Sequence, residues 1–186
     1  MNPGLGNPNG ELVFVTEEPR HLVDWDEYEG WETYNEEWMP RFAEASGGRM
    51  IDRLLEQTRL NLKDVWITDS IKCPTKGDEH RGIPETETEE AFECCRAYLR
   101  RELEAIEPIG IVTLGKEATR RTLEEFGVPE WKAKRVRVTK EYGERPFDSS
   151  IPVVISLHWA QRTVEEDEWV PVIQAAIADL VESEAR

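Results

Sequence analysis

Four short apolar runs constrain this chain more than anything else in it: LVFVT at 12–16, VWIT at 65–68, IGIVTLG at 109–115 and PVVISLHW at 152–159. Each is rich in β-branched and aromatic residues, shows no helical period, and is too short to be a buried helix. A strand that is apolar on both of its faces needs cover on both, which a parallel sheet flanked by helices provides. The intervening segments supply those helices. Met50, Ile51, Leu54 and Leu55 share one face after Gly47-Gly48. Thr86 with Glu89 forms a capping-box pattern ahead of Ala91, Cys95, Tyr98, Leu99, Leu103 and Ile106, and Pro108 stops that helix. Residues 116–126 form another, closed by Gly127, and residues 165–185 a last one with Trp169, Val172, Ile173, Ala176 and Leu180 turned inward. The expectation is one α/β domain over 1–186, a three-layer α/β/α sandwich around a central, mainly parallel four-stranded sheet.

Two segments fit less simply. KAKRVRVTK at 132–140 alternates Val136 and Val138 with cations and reads as an exposed or edge strand. The stretch 22–40 has no clean period and carries three tryptophans and two tyrosines among carboxylates, so it is either partly helical or functional. In a parallel sheet, ligands bind beyond the carboxyl ends of the strands. That edge gathers Thr16, Glu17, Glu18 and Pro19, then residues 69–73, Gly115 and His158.

Charge narrows the function classes. The net charge is −16, from 39 acidic and 23 basic side chains, which argues against a generic polyanion binder but leaves room for a local basic patch. Arginine outnumbers lysine 16 to 7. Such carboxylate crowding suits multimolar salt, where the Debye length is about 3 Å, so a halophilic source is one reading and an acidic cytosolic protein the other. No run of apolar residues is long enough to span a membrane and no signal-peptide pattern opens the chain, so the expectation is a soluble, cytoplasmic chain, monomeric by default. Cys73, Cys94 and Cys95 do not make a disulfide framework.

Several segments, in order, resemble the uracil-DNA glycosylase superfamily, nearest the branch that carries an iron–sulfur cluster. LVFVTEEP resembles its first motif, a strand entering an acidic, glycine-rich loop. FAEASGGRMIDRLLE resembles its aromatic-bearing loop and the helix after it, and VWITDSIKCPT the strand end bearing an asparagine and a later KC pair. CRAYLRRELEAIEPIGIVTLGKEA is the closest match, and VVISLHW resembles the strand that ends in histidine, proline and serine. The resemblance implies a DNA glycosylase that hydrolyses the bond to a flipped-out base. It implies His158 as the hydrogen-bond donor to the departing base and Phe42 as its stacking platform. Glu17, Glu18 and Pro19 would shape the loop near the sugar and the water. Trp159, Lys116 and Arg162 are the candidates for DNA contact.

The departures are specific. Thr16 and Arg20 stand where the family has glycines, and Trp159 and Ala160 where it has proline and serine. Asp69 replaces the asparagine that both donates to and accepts from the base. An ionised aspartate only accepts, which suits an exocyclic amino group better than a uracil carbonyl. Cys73 and Cys95 match only two of four cluster ligands, so no metal or other cofactor is expected. Plain alternatives stand beside these roles. His158 could be a backbone-bonded histidine, Phe42 and Cys95 core residues, Asp69 a turn cap, and the run from Lys132 to Lys140 a solvated edge. Two functions therefore remain open: a glycosylase, or a glycosylase fold that has lost catalysis and binds nucleic acid or protein. A small-molecule nucleotide site is a third reading, without a phosphate-cradling glycine loop to support it.

Overall fold

The computed structural model describes residues 4–18, 27–72, 88–147, 149–161 and 163–184. The chain order is β1 (Leu5–Gly6), β2 (Leu12–Thr16), α1 (Trp31–Glu44), α2 (Ser46–Leu55), β3 (Val65–Asp69) and α3 (Thr88–Ile106). It continues with β4 (Gly110–Leu114), α4 (Lys116–Glu125), α5 (Glu130–Ala133), α6 (Val138–Glu141), β5 (Val153–Ser156) and α7 (Glu166–Glu184). The four apolar runs form the four parallel strands, ordered β3-β2-β4-β5. Strand alternation sends Leu12, Phe14, Val112 and Val154 into one core with α2 and α7. It sends Val13, Val15, Ile111, Val153 and Ile155 into the other with Leu99 and Leu103 of α3 and Ala118 and Leu123 of α4. The three layers follow from two-sided burial, which at roughly 25 cal/mol per Å² of apolar surface is the main favourable contribution.

The sheet has five strands, one more than expected. Leu5–Gly6 pairs antiparallel with β3, and a two-residue strand within a glycine- and asparagine-rich opening carries no periodic signal. It is fixed from outside. The Asn35 side chain accepts from the Gly6 N–H at 2.8 Å and donates to the Gly6 carbonyl at 3.1 Å, taking the place of a further strand.

Residues 132–140 are not a strand. They form parts of α5 and α6, with Ala133 and Val136 buried at a three-residue spacing that belongs to a helical turn. The outer edge of β5 is already taken by residues 143–144: Gly143 N–H donates to Ile155 O, and Ile155 N–H to Glu144 O. The segment 22–40 is partly helical over its described part, since α1 begins at Trp31. Tyr98 and Val172 face solvent instead of the core, because the buried stripes run through Leu99 and Leu103 and through Trp169, Ile173, Ile177 and Leu180. Thr86, the expected cap of α3, lies outside the described residues.

Candidate functional site

The carboxyl ends of β2 and β3 are joined by their backbones. Ser70 N–H donates to Thr16 O at 2.8 Å, and Ile71 N–H and the Ser70 hydroxyl donate to Glu17 O at 2.9 and 2.8 Å. Thr16 and Asp69 are register partners across the parallel ladder, and the Thr16 hydroxyl donates to Asp69 Oδ1. Two of the departures noted in the sequence are thus one hydrogen-bonded pair. Burial pushes the Asp69 carboxyl up to about 6, against the Thr16 hydrogen bond and the Lys72 charge, with the Glu102 and Glu18 carboxylates pushing it the same way as burial.

Beneath this pair lies a buried network. Lys72 donates to Thr68 Oγ1 and Glu102 Oε2, Thr68 Oγ1 donates to Glu102 Oε2 at 2.8 Å, and Trp66 Nε1 to Glu102 Oε1 at 2.8 Å. Its hydrogen bonds satisfy the carboxylate and the ammonium together, which is the condition for holding ions out of water. Beside Asp69 stands Tyr34, buried, its phenol pushed up to about 12 by burial and then by the Asp69 and Tyr28 charges. Tyr34 meets Tyr28 edge-on at 5.3 Å and Trp38 at 6.1 Å, and Trp38 Nε1 donates to Tyr28 OH at 2.7 Å.

At the end of β4, Gly115 has φ 103°, and a Cβ there would stand 3.2 Å from His158 Cβ. A side chain at 115 would be strained and would crowd the histidine, so glycine sets how closely the ends of β4 and β5 approach. His158 Nδ1 accepts from Ala160 N–H at 3.0 Å, which leaves the ring proton of a neutral imidazole on Nε2. The Trp159 ring stacks on His158 at 4.1 Å and also covers Gly47, where a Cβ would lie 3.1 Å from the indole.

Glu17 keeps an exposed flank while packing on its other side pushes its carboxyl up. Glu117 and Glu18 add to the shift, and Arg121 and Arg120 oppose it. Phe42 stands in the last turn of α1, not in a loop, half-buried on the apolar cluster that also receives Trp159. Lys116 is exposed at the start of α4, 3.8 Å from Glu117. The structure therefore brings Thr16, Glu17, Glu18 and Asp69 together at one pair of strand ends, and His158 and Trp159 at the other. Pro19, Arg162 and Cys73 lie outside the described residues.

The sequence pattern of the uracil DNA glycosylase superfamily matches residues 3–175. The chain belongs to that superfamily. It is 30% identical over 158 residues to the type-4 uracil-DNA glycosylase of Archaeoglobus fulgidus, covering 84% of this chain and 68% of that protein. It is 30% identical over 118 residues to the type-4 enzyme of Saccharolobus solfataricus, covering 63% of this chain and 46% of that one. It is 31% identical over 121 residues to the type-5 enzyme of Pyrobaculum aerophilum, covering 64% and 49%. The matched region thus spans about half the length of the last two relatives.

Within this superfamily chain, a four-thiolate cluster does not fit the residues present. The chain holds three cysteines. Cys94 is exposed, whereas the adjacent Cys95 is buried among Ile71, Ala91 and Phe92. Among the described residues no three His, Cys, Asp or Glu side chains are grouped to hold a metal ion, and no helix is long and apolar enough to cross a membrane. Sequence reasoning missed Tyr34, Lys72, Glu102 and two buried arginines. Arg120 pairs with Glu117 at 2.9 Å and Glu124 at 3.2 Å, and Arg121 lies over the Phe92 ring at 4.6 Å. A polar-looking helix gave no sign that its arginines point inward; three- and four-residue spacing to Glu117 and Glu124 was the available clue. A cleft of about 330 Å³ opens at the opposite, amino edge of the sheet, lined by Arg96, Arg100, Glu125 and Ile151 among others, away from these strand ends.

Proposed function

We propose that this chain accepts an extrahelical nucleobase of DNA at the carboxyl edge of its sheet and hydrolyses the N-glycosidic bond by water attack. The observation that carries this reading is the Ala160 N–H···Nδ1 bond of His158, which presents Nε2–H as a fixed, uncharged donor at the end of β5. In the reaction the water oxygen bonds to the sugar C1′, the bonding pair leaves with the base, and the proton the water sheds is taken up by the Glu17 carboxylate. Nε2–H stabilises the negative charge that develops there, a kind of preorganised donation worth about 10²–10³ in rate. Glu17, its carboxyl raised and so more basic than usual, orients the water, with Glu18 beside it. Phe42 and Pro19 would flank the base, and Trp159, Lys116 and Arg162 the strand.

Asp69 selects the base. Ionised, it accepts from an exocyclic amino group; protonated, it regains a donor for a uracil carbonyl. With the carboxyl titrating near 6, neutral solution favours the amino-bearing base. The test is excision from oligonucleotides carrying a panel of deaminated and damaged bases, across pH and from low to multimolar salt, with His158→Ala as control. Uracil excision is expected to rise as pH falls through about 6. Brisk uracil-specific turnover at neutral pH, unchanged in His158→Ala, would overturn the proposal.

A second reading, a fold retained for binding without cleavage, draws on one observation: Tyr34 is buried and near enough to Asp69 for that carboxylate's charge to raise its phenol. Absence of excision from every substrate, in wild type and in Tyr34→Ala, would favour it.

A further inference from the structure

We infer that residues 130–140 form a separate contact surface for single-stranded nucleic acid, built on Trp131 as a stacking platform and Lys132, Arg135, Arg137 and Lys140 as phosphate partners. In a chain of net charge −16 this segment carries five cations and one carboxylate. Lys134 uses that carboxylate, pairing with Glu130. Among the described residues no carboxylate lies within ion-pair distance of Lys132, Arg135, Arg137 or Lys140, whereas Arg41, Arg53, Arg59, Arg100 and Arg145 elsewhere are all so paired. Four neighbouring cations without a carboxylate in ion-pair distance leave a local positive field, tempered by Glu141 at the Arg137 N–H, for an outside anion.

The same segment exposes an aromatic ring. Trp131 is 57% exposed, with Arg135 Cζ 5.0 Å and Lys132 Nζ 5.5 Å from the ring. The segment's backbone is held in place, because Ala133 and Val136 are buried in the core and the N–H groups of Lys132, Ala133 and Lys134 are bonded into the turn. A rigid exposed indole among unpaired cations fits a strand whose bases are unstacked, since bases stack on the ring while phosphates meet the charges. A duplex offers the phosphates but keeps its bases inside, and a membrane surface would call for more than one apolar side chain.

The surface is next to the strand ends without being part of them. α4 packs against both β2 and α5, and its Arg120 acts electrostatically on Glu17 as well as on Glu130 and Lys134, so the two regions share that helix. The inference does not require bond cleavage, and its test uses strands that carry no base to be excised, so that it can fail independently of the proposed function.

Fluorescence anisotropy of the full chain is measured with labelled oligo-thymidine and with an abasic strand of equal length, over a range of salt. Trp131→Ala is expected to weaken oligo-thymidine binding about tenfold and to leave the abasic strand within about twofold. Neutralising Arg135, Arg137 and Lys140 to glutamine is expected to weaken both strands and to flatten the salt slope by about 2. These side chains are exposed, so the variants fold. Equal loss on both strands in Trp131→Ala, an unchanged salt slope in the triple variant, or no binding of either strand at low salt overturns the inference.

Discussion

The two halves of the candidate site are built on different principles. At the ends of β2 and β3, a half-buried carboxyl is held by a hydroxyl, backed by an ion pair and felt electrostatically by a buried phenol. At the ends of β4 and β5, an imidazole is held by one backbone N–H and covered by an indole. The first half changes charge near neutral pH, and the second presents a fixed tautomer. On the proposed function, base recognition depends on the protonation of Asp69, whereas the donor is set by the backbone bond to His158.

The largest effect expected from breaking this contrast is on stability. Lys72→Met leaves the half-buried Glu102 without its cation and is expected to cost about 3 kcal/mol, read by denaturant unfolding. His158→Ala leaves the first half untouched and is expected to lower single-turnover excision by about 10²–10³, with unfolding little changed. A loss of fold in His158→Ala would mean the imidazole serves packing.

Asp69→Asn separates the halves by chemistry. It restores a donor at all pH values and is expected to raise uracil excision at neutral pH by about one to two powers of ten, equivalent to about 1–3 kcal/mol, with the rise toward acid abolished. The same variant tests linkage. Because the folded carboxyl titrates near 6 and the unfolded one near 3.8, the native state holds the proton longer, so wild-type stability falls as pH rises through that window. Asparagine is expected to remove that fall, visible as a wild-type-minus-variant difference in Tm that drops from acid toward neutral. The smallest effect is that of Thr16→Val. Losing a hydrogen bond that lowers the Asp69 carboxyl should move the uracil pH midpoint upward by about one unit. A downward shift would show that Thr16 does not stabilise the ionised form.

The parallel sheet was legible because its strands are apolar on both faces, and the carboxyl-edge ligand rule then placed Thr16, Asp69 and His158 on one rim. The pairing of Thr16 with Asp69 was not legible. The two lie 53 positions apart, and only the register of the ladder sets them opposite. Lys72 and Glu102 escaped notice for a related reason, since a charged residue advertises solvent and its partner sits on a distant helix. The valines of residues 132–140 misled through a period of two, when the edge they would have occupied is closed by residues 143–144. Phe42 was placed in a loop by the resemblance to the family's aromatic-bearing loop, whereas the first helix runs on through it to Glu44.

The Asn35 clasp on Gly6 has a consequence beyond local order. One flank of the sheet ends in a side-chain amide and the other in a backbone segment already engaged with Ile155. Neither flank offers a free row of peptide groups at these points, so a strand from another chain has little to zip onto. This guards the sheet against templated growth at both of its flanks.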